Sequence, residues 1–246
     1  MRLRFRFRLV PFIATVLLVA LGISLGNWQE RRAAQKSALH ERIEQRGKEA
    51  PLVLGPAIIP LEPLEFRHVT VTGEFVPGWP LFLDNRPYQG RSGFYLLMPF
   101  KIAGSNTNVL VARGWLPADP TVHDRLPAYT TPTGQVTIEG IVTGSVSHVL
   151  QLGAAAPLKP NAIVQNVEAG GFAQASALKL QPFLVEQTGA LGEGGALVRD
   201  WPLPSTGIEK HKGYAFQWYA LAAMAFLFFV ITGFRSGTKH DDAARA

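Results

Sequence analysis

The chain has no cysteine among its 246 residues. That absence removes disulfides, thiolate metal ligation, C-x-x-C-H haem attachment and a cysteine nucleophile in one step. Charge is sparse as well, at 17% of residues. Two windows hold none at all: residues 9–28, LVPFIATVLLVALGISLGNW, and residues 214–234, YAFQWYALAAMAFLFFVITGF. Catalytic signatures are missing too. None of His40, His68, His123, His148, His211 and His240 belongs to an HExxH motif or to a pair four residues apart, so no zinc site can be read. GSVSH fails the G-x-S-x-G elbow, and GALGEGG lacks the P-loop lysine and the strand and helix that should flank it. There is no internal repeat and no low-complexity tract. An enzyme is not the expectation.

Each uncharged window is about twenty residues long, which at 1.5 Å per helical residue spans about 30 Å, the thickness of a hydrocarbon core. Both read as transmembrane helices. The first has a secretory signal peptide as its alternative, with Arg2, Arg4, Arg6 and Arg8 as the basic region and Ser24 and Gly26 as small residues for cleavage. Its apolar run exceeds the roughly 7–15 residues of a signal core, which favours a retained anchor.

The net charge of +6 gathers at the span ends: four arginines precede the first, and Arg235, Lys239 and Arg245 follow the second. Basic residues there anchor to anionic headgroups, so membrane lipid rather than nucleic acid is the expected partner of this charge. Two spans put both termini on one side, and the positive-inside rule makes that side cytoplasmic. Arg31, Arg32, Lys36, Lys210 and Lys212 flank the spans on the opposite side, but long loops translocate largely regardless of charge.

The expected layout is a cytoplasmic basic tail over 1–8, a first span over 9–28, a helical extension over 29–49, a periplasmic β-rich domain over 50–212, a second span over 214–234 and a cytoplasmic tail over 235–246. The extension is rich in strong helix formers until Gly47 and reads as a solvated stalk. The proline-rich stretch over 50–65 excludes a regular helix and predicts an extended linker.

Strand chemistry follows. RHVTVTGEFV alternates with Val69, Val71 and Gly73 on one side. PLFLDN and SGFYLLMPFKI form a predicted hairpin across the turn formers NRPYQGRSG, and TNVLVARGWL, GQVTIEGIVTG, NAIVQNV and PFLVEQ complete about seven strands. AGGFAQASALKL is the one short helix expected among them. The fold class is therefore an α+β membrane protein, two transmembrane helices with a β-rich domain, its antiparallel sheet closing into a small barrel or sandwich.

The residues that stand out lie at the second membrane boundary, EKHKGYAFQWYALA. Tyr214, Trp218 and Tyr219 suit an aromatic belt. Gln217 is one turn into the span and must satisfy its amide against the other span, a partner or a polar ligand. If the helix continues back through Gly213, His211, Tyr214 and Trp218 share one face at i, i+3 and i+7. A neutral imidazole there could ligate haem iron axially, or could simply contact headgroups or the β-rich domain.

Together with LGNWQERRAAQK, VTVTGEF, NRPYQGRSGFYLLMPF and VLVARGWLP, in that order, the motif HKGYAFQWYALA makes the chain resemble the surfeit locus protein one family of cytochrome oxidase assembly factors. The match covers nearly the whole chain. It departs at Ala112, where the family usually shows asparagine before Arg113-Gly114-Trp115, and at Ala34 and Gln35, where an aromatic residue is common before the lysine.

The resemblance implies a membrane-anchored biogenesis factor for haem–copper terminal oxidases, acting on the catalytic subunit around the holding or delivery of haem a. Haem a synthase is a further implied partner. His211 matches the family histidine implicated in haem binding, which makes it the expected iron ligand, with Trp218 and Gln217 beside it as haem contacts. A haem-holding chaperone and a scaffold for the catalytic subunit are both consistent with the family. The short stretch before the first span leaves no room for a transit peptide, so a bacterial inner membrane is expected. Two other classes compete: an envelope interaction module that never binds haem, and an enzyme in which Glu74, Asp84, Arg86 and His123 converge.

Overall fold

A computed structural model of the chain describes residues 5, 7–122, 124–146, 148–150, 156–192, 197–202 and 207–238. Arg2, Arg4, Arg6, Lys239 and Arg245 of the tails lie outside the described residues, as do His123 and His240. The chain divides into two compact units, one of residues 1–41 and 205–246 and one of residues 42–204.

The first unit is a helix pair. Helix α1 runs Leu9–Lys48 and helix α3 runs Ile208–Thr238. Both are long and apolar enough to cross a membrane. Leu17, Leu18, Leu21, Phe216, Phe226 and Phe228 are among many large apolar side chains exposed on them, a surface that water would penalise and lipid would not. Helix α1 continues without a break from its apolar stretch into the polar one, and ends where Gly47 and Pro51 remove helix propensity.

The second unit is built on a closed five-stranded barrel. In order around it are β2 (His68–Phe75), β6 (Val136–Thr143), β8 (Lys179–Gln187), β5 (Thr107–Pro117) and β4 (Gly93–Ile102). The ring closes where β4 returns to β2, pairing Gly73 with Ile102 and Phe75 with Phe100. Three short strands extend the sheet: β1 (Leu52–Val53) on β2, and β3 (Leu81–Leu83) carrying β7 (Ala162–Val164) on β4. The expected alternation on β2 is present, with Val69, Val71, Gly73 and Phe75 buried.

The sheet is less uniformly antiparallel than expected. β5 and β8 run parallel, as do β1 with β2 and β3 with β7. The β5 to β8 pairing is possible because the chain between them supplies the long crossover that parallel neighbours require. Among the described residues the strands number eight rather than seven, since the proline-rich linker contributes β1. The polar end of α1 is also more than a bare stalk: Glu49 just beyond it pairs with Arg67 at 3.0 Å, and Arg46 donates to the Pro63 carbonyl.

Five strands leave a narrow interior, and side chains fill it. Val71, Phe94, Leu96, Met98, Phe100, Val111, Phe183 and Val185 pack there. Arg113 is buried among them, donating to Thr131 Oγ1 at 2.8 Å and to the Thr130 carbonyl at 3.0 Å, with its guanidinium 4.4 Å from the Phe75 ring centre. On the outer face of the sheet, α2 (Ala169–Ser176) seats Phe172 over a second cluster of Leu81, Leu83, Leu97, Leu110 and Leu184.

Candidate functional site

Small side chains bring the two long helices together. The buried positions of α1 are Gly22, Gly26, Gln29 and Ala33. Their spacing of four, three and four puts them on one face. A side-chain carbon at position 22 would fall 2.9 Å from the Ala222 Cβ and 3.0 Å from the Trp218 carbonyl oxygen. One at position 26 would fall 2.4 Å from the Tyr219 ring. Close packing through small residues is how helices associate in lipid, where apolar burial by itself gives little drive. The Tyr219 hydroxyl adds a hydrogen bond to Asn27 Oδ1 at 2.8 Å.

That contact sets His211 opposite Gln29. Helix α3 passes through Gly213 unbroken, so His211 lies four residues before the buried Ala215 and seven before Trp218, on the face turned to α1. Its Nδ1 is 2.7 Å from Oε1 of Gln29, a side chain only 9% exposed. An amide oxygen can only accept, so Nδ1 carries the proton and donates. In the neutral ring the lone pair then belongs to Nε2. Histidines that ligate metals commonly donate their other ring N–H to an oxygen in this way.

The three residues expected at the site are therefore arranged unequally. His211 and Trp218 are half-buried on the same side of α3. Gln217 is exposed. It is two residues from both Ala215 and Tyr219, about 200° around the helix from the face that meets α1. Of its three possible destinations, the other span is not the one it takes. Tyr214 is 52% exposed and turns away from the contact more than a shared face with His211 would suggest. Gln29 was not among the expected site residues. Its signal was its place three residues after Gly26 and seven after Gly22.

Of the polar residues considered for an enzyme, Arg86 has a structural role. Arg86 is buried, and its hydrogen bonds go to the main-chain carbonyls of Asp84, Asn85, Val146 and Gln165. The same residue's carbonyl accepts from Trp115 Nε1 at 2.6 Å. These bonds hold the loop between β3 and β4 against the barrel. Glu74 is on β2, opposite Lys101, at an open cleft of about 470 Å³ that also meets Ser105, Asn106 and Gln135. Among the described residues no three His, Cys, Asp or Glu side chains cluster as metal ligands.

Comparison with known proteins gives a family. The profile of the SURF1 family matches residues 16–223. A SURF1-like protein of Monosiga brevicollis is 25% identical over 238 residues, covering 92% of this chain and 88% of that one. The Saccharomyces cerevisiae cytochrome oxidase assembly protein SHY1 is 31% identical over 102 residues, covering 41% of this chain and 26% of that protein. A SURF1-like protein of Caenorhabditis briggsae is 32% identical over 149 residues, 51% of this chain and 46% of that one. The matched region is thus less than half of the yeast and nematode proteins.

Proposed function

The chain belongs to the SURF1 family, and from that membership we propose that it is a membrane-anchored assembly factor for a haem–copper terminal oxidase, holding or delivering haem a to the catalytic subunit. The name of the yeast relative, a cytochrome oxidase assembly protein, supports the assembly role. One observation carries the haem part: His211 at the start of α3, with Nδ1 taken by Gln29.

The residues present fit a haem. His211 Nε2 would be the iron-ligating atom, and Trp218 on the same side of the helix would supply an aromatic surface beside it. Lys210 and Lys212 are exposed cations within one residue of the ligand, placed for propionates. Bound haem a would be the cargo of the protein rather than a redox centre it uses. Gln217, on the opposite side of α3, faces the catalytic subunit or haem a synthase in this reading. In this reading the positive-inside rule puts both termini on the cytoplasmic side and the barrel unit on the opposite side of the membrane.

A deletion strain tests the assembly role. Membranes lacking this protein should lose most terminal oxidase activity and the haem a absorbance that accompanies it, with both restored by the wild-type chain. Normal activity and a normal haem spectrum in the deletion strain would refute oxidase assembly. Full rescue by His211→Ala would refute the haem role and favour a scaffold that never binds haem.

A further inference from the structure

We infer that Gln29 is a positioning residue for His211, fixing its tautomer and ring orientation so that Nε2 is the atom presented to a metal. The inference rests on the haem reading above for the identity of the metal, but its physical content lies in the helix pair alone. A histidine at a helix start has two ring nitrogens and a free χ2 torsion, and nothing in α3 itself chooses between them. The choice comes from α1. Gln29 is buried, its Oε1 is 2.7 Å from Nδ1, and an oxygen that can only accept requires a proton on that nitrogen.

Gln29 is itself held by the fold. It is three residues after Gly26 and seven after Gly22, whose missing side chains let the backbones approach. Tyr219 packs on Gly26 and bonds to Asn27 at 2.8 Å, which fixes the rotation of α3 against α1 about two turns from His211. The close contact of the two helices therefore sets which histidine nitrogen is available. Aspartate or glutamate often fills this orienting role at metal sites. A neutral amide does so without adding a charge at a membrane boundary.

The inference separates Gln29 from residues that merely hold the helices together, because a change of tautomer has its own signature. The test uses the full chain, labelled with 15N-histidine and solubilised in detergent, with the His211 resonances assigned by loss in His211→Ala. Wild-type protein at a pH where the ring is neutral should show a protonated Nδ1 and an unprotonated Nε2. Gln29→Leu should move the proton toward Nε2. Gln29→Glu, which keeps an accepting oxygen at the same reach, should retain the wild-type pattern even if its helix packing is weaker. A protonated Nε2 in the wild type, or an unchanged tautomer in Gln29→Leu, overturns the inference.

A haem titration of the same samples reads the consequence. Gln29→Leu should bind haem about 10- to 100-fold more weakly, the usual loss when the oxygen behind a ligating histidine is removed, and Gln29→Glu should recover most of it. Equal affinity in wild type and Gln29→Leu overturns the positioning role. Absence of haem binding by the wild type, with the tautomer pattern as expected, instead refutes the haem reading on which the identity of the metal rests.

Discussion

The Tyr219 ring fills the space that a side chain at Gly26 would need, and the same residue's hydroxyl donates to Asn27 Oδ1 at 2.8 Å. One tyrosine thus fixes both the distance and the rotation of the two helices. Gly26→Val should cost about 1–3 kcal/mol by overpacking. The Tyr219→Ala change should cost much less in that background than in the wild type, because it vacates the space the valine needs. Thermal unfolding of the four detergent-solubilised proteins checks this, and additive losses would contradict the contact.

Arg113 offers a test in the barrel. Its fully buried guanidinium is bonded to Thr131 and the Thr130 carbonyl and stacked on Phe75. Arg113→Ala should destabilise the barrel unit by about 2–5 kcal/mol, through the cavity and the lost hydrogen bonds. Arg113→Met, which keeps most of the volume, should cost distinctly less. Urea unfolding followed by tryptophan fluorescence measures both, and equal losses would show that the charge rather than the packing matters.

Glu186 on β8 predicts a pH dependence. Desolvation pushes its carboxyl up from the ordinary 4.5 to about 7. The folded chain then holds this proton more tightly than the unfolded one, so the group lowers stability progressively as pH rises from about 4.5 to about 7. Above that range the penalty is constant, up to about 3 kcal/mol. Glu186→Gln should raise the melting temperature at pH 8 and leave it nearly unchanged at pH 4. An equal shift at both values would contradict a raised pKa.

The legible parts of the fold were those written in local pattern. The alternation of Val69, Val71 and Gly73 located β2 and its buried face, and the uncharged windows located the apolar stretches of α1 and α3. The glycine pair before FAQAS marked the short helix α2, which takes in both glycines rather than opening after them. Strand β1 escaped notice because a two-residue strand inside a proline-rich stretch has no period to detect. The parallel pairing of β5 with β8 was equally hidden, since alternation tells which face of a strand is buried and not which strand lies beside it.

At the candidate site the same division holds. His211 and Trp218 could be placed on one helix face from their seven-residue spacing. Gln217 could be seen to need a partner, but its direction depends on which face of α3 meets α1. The pairing of His211 with Gln29 joins residues 182 positions apart in sequence. No single helix encodes that register, although Gly22, Gly26, Gln29 and Ala33 already traced the stripe on which the partner lies. The segments NRPYQGRSG and VLVARGWLP belong to the barrel's construction. Gly114, at φ +149°, lets the 197–198 segment approach, with the Trp115 N–H donating to the Val198 carbonyl at 2.7 Å.

The central claim, that His211 holds haem, is tested most directly by the absorption spectrum of the full-length protein purified in detergent from cells with haem a synthesis intact. Wild-type protein should carry a haem Soret band that falls to background in His211→Ala at equal protein concentration. Equal haem content in the two proteins would contradict the account.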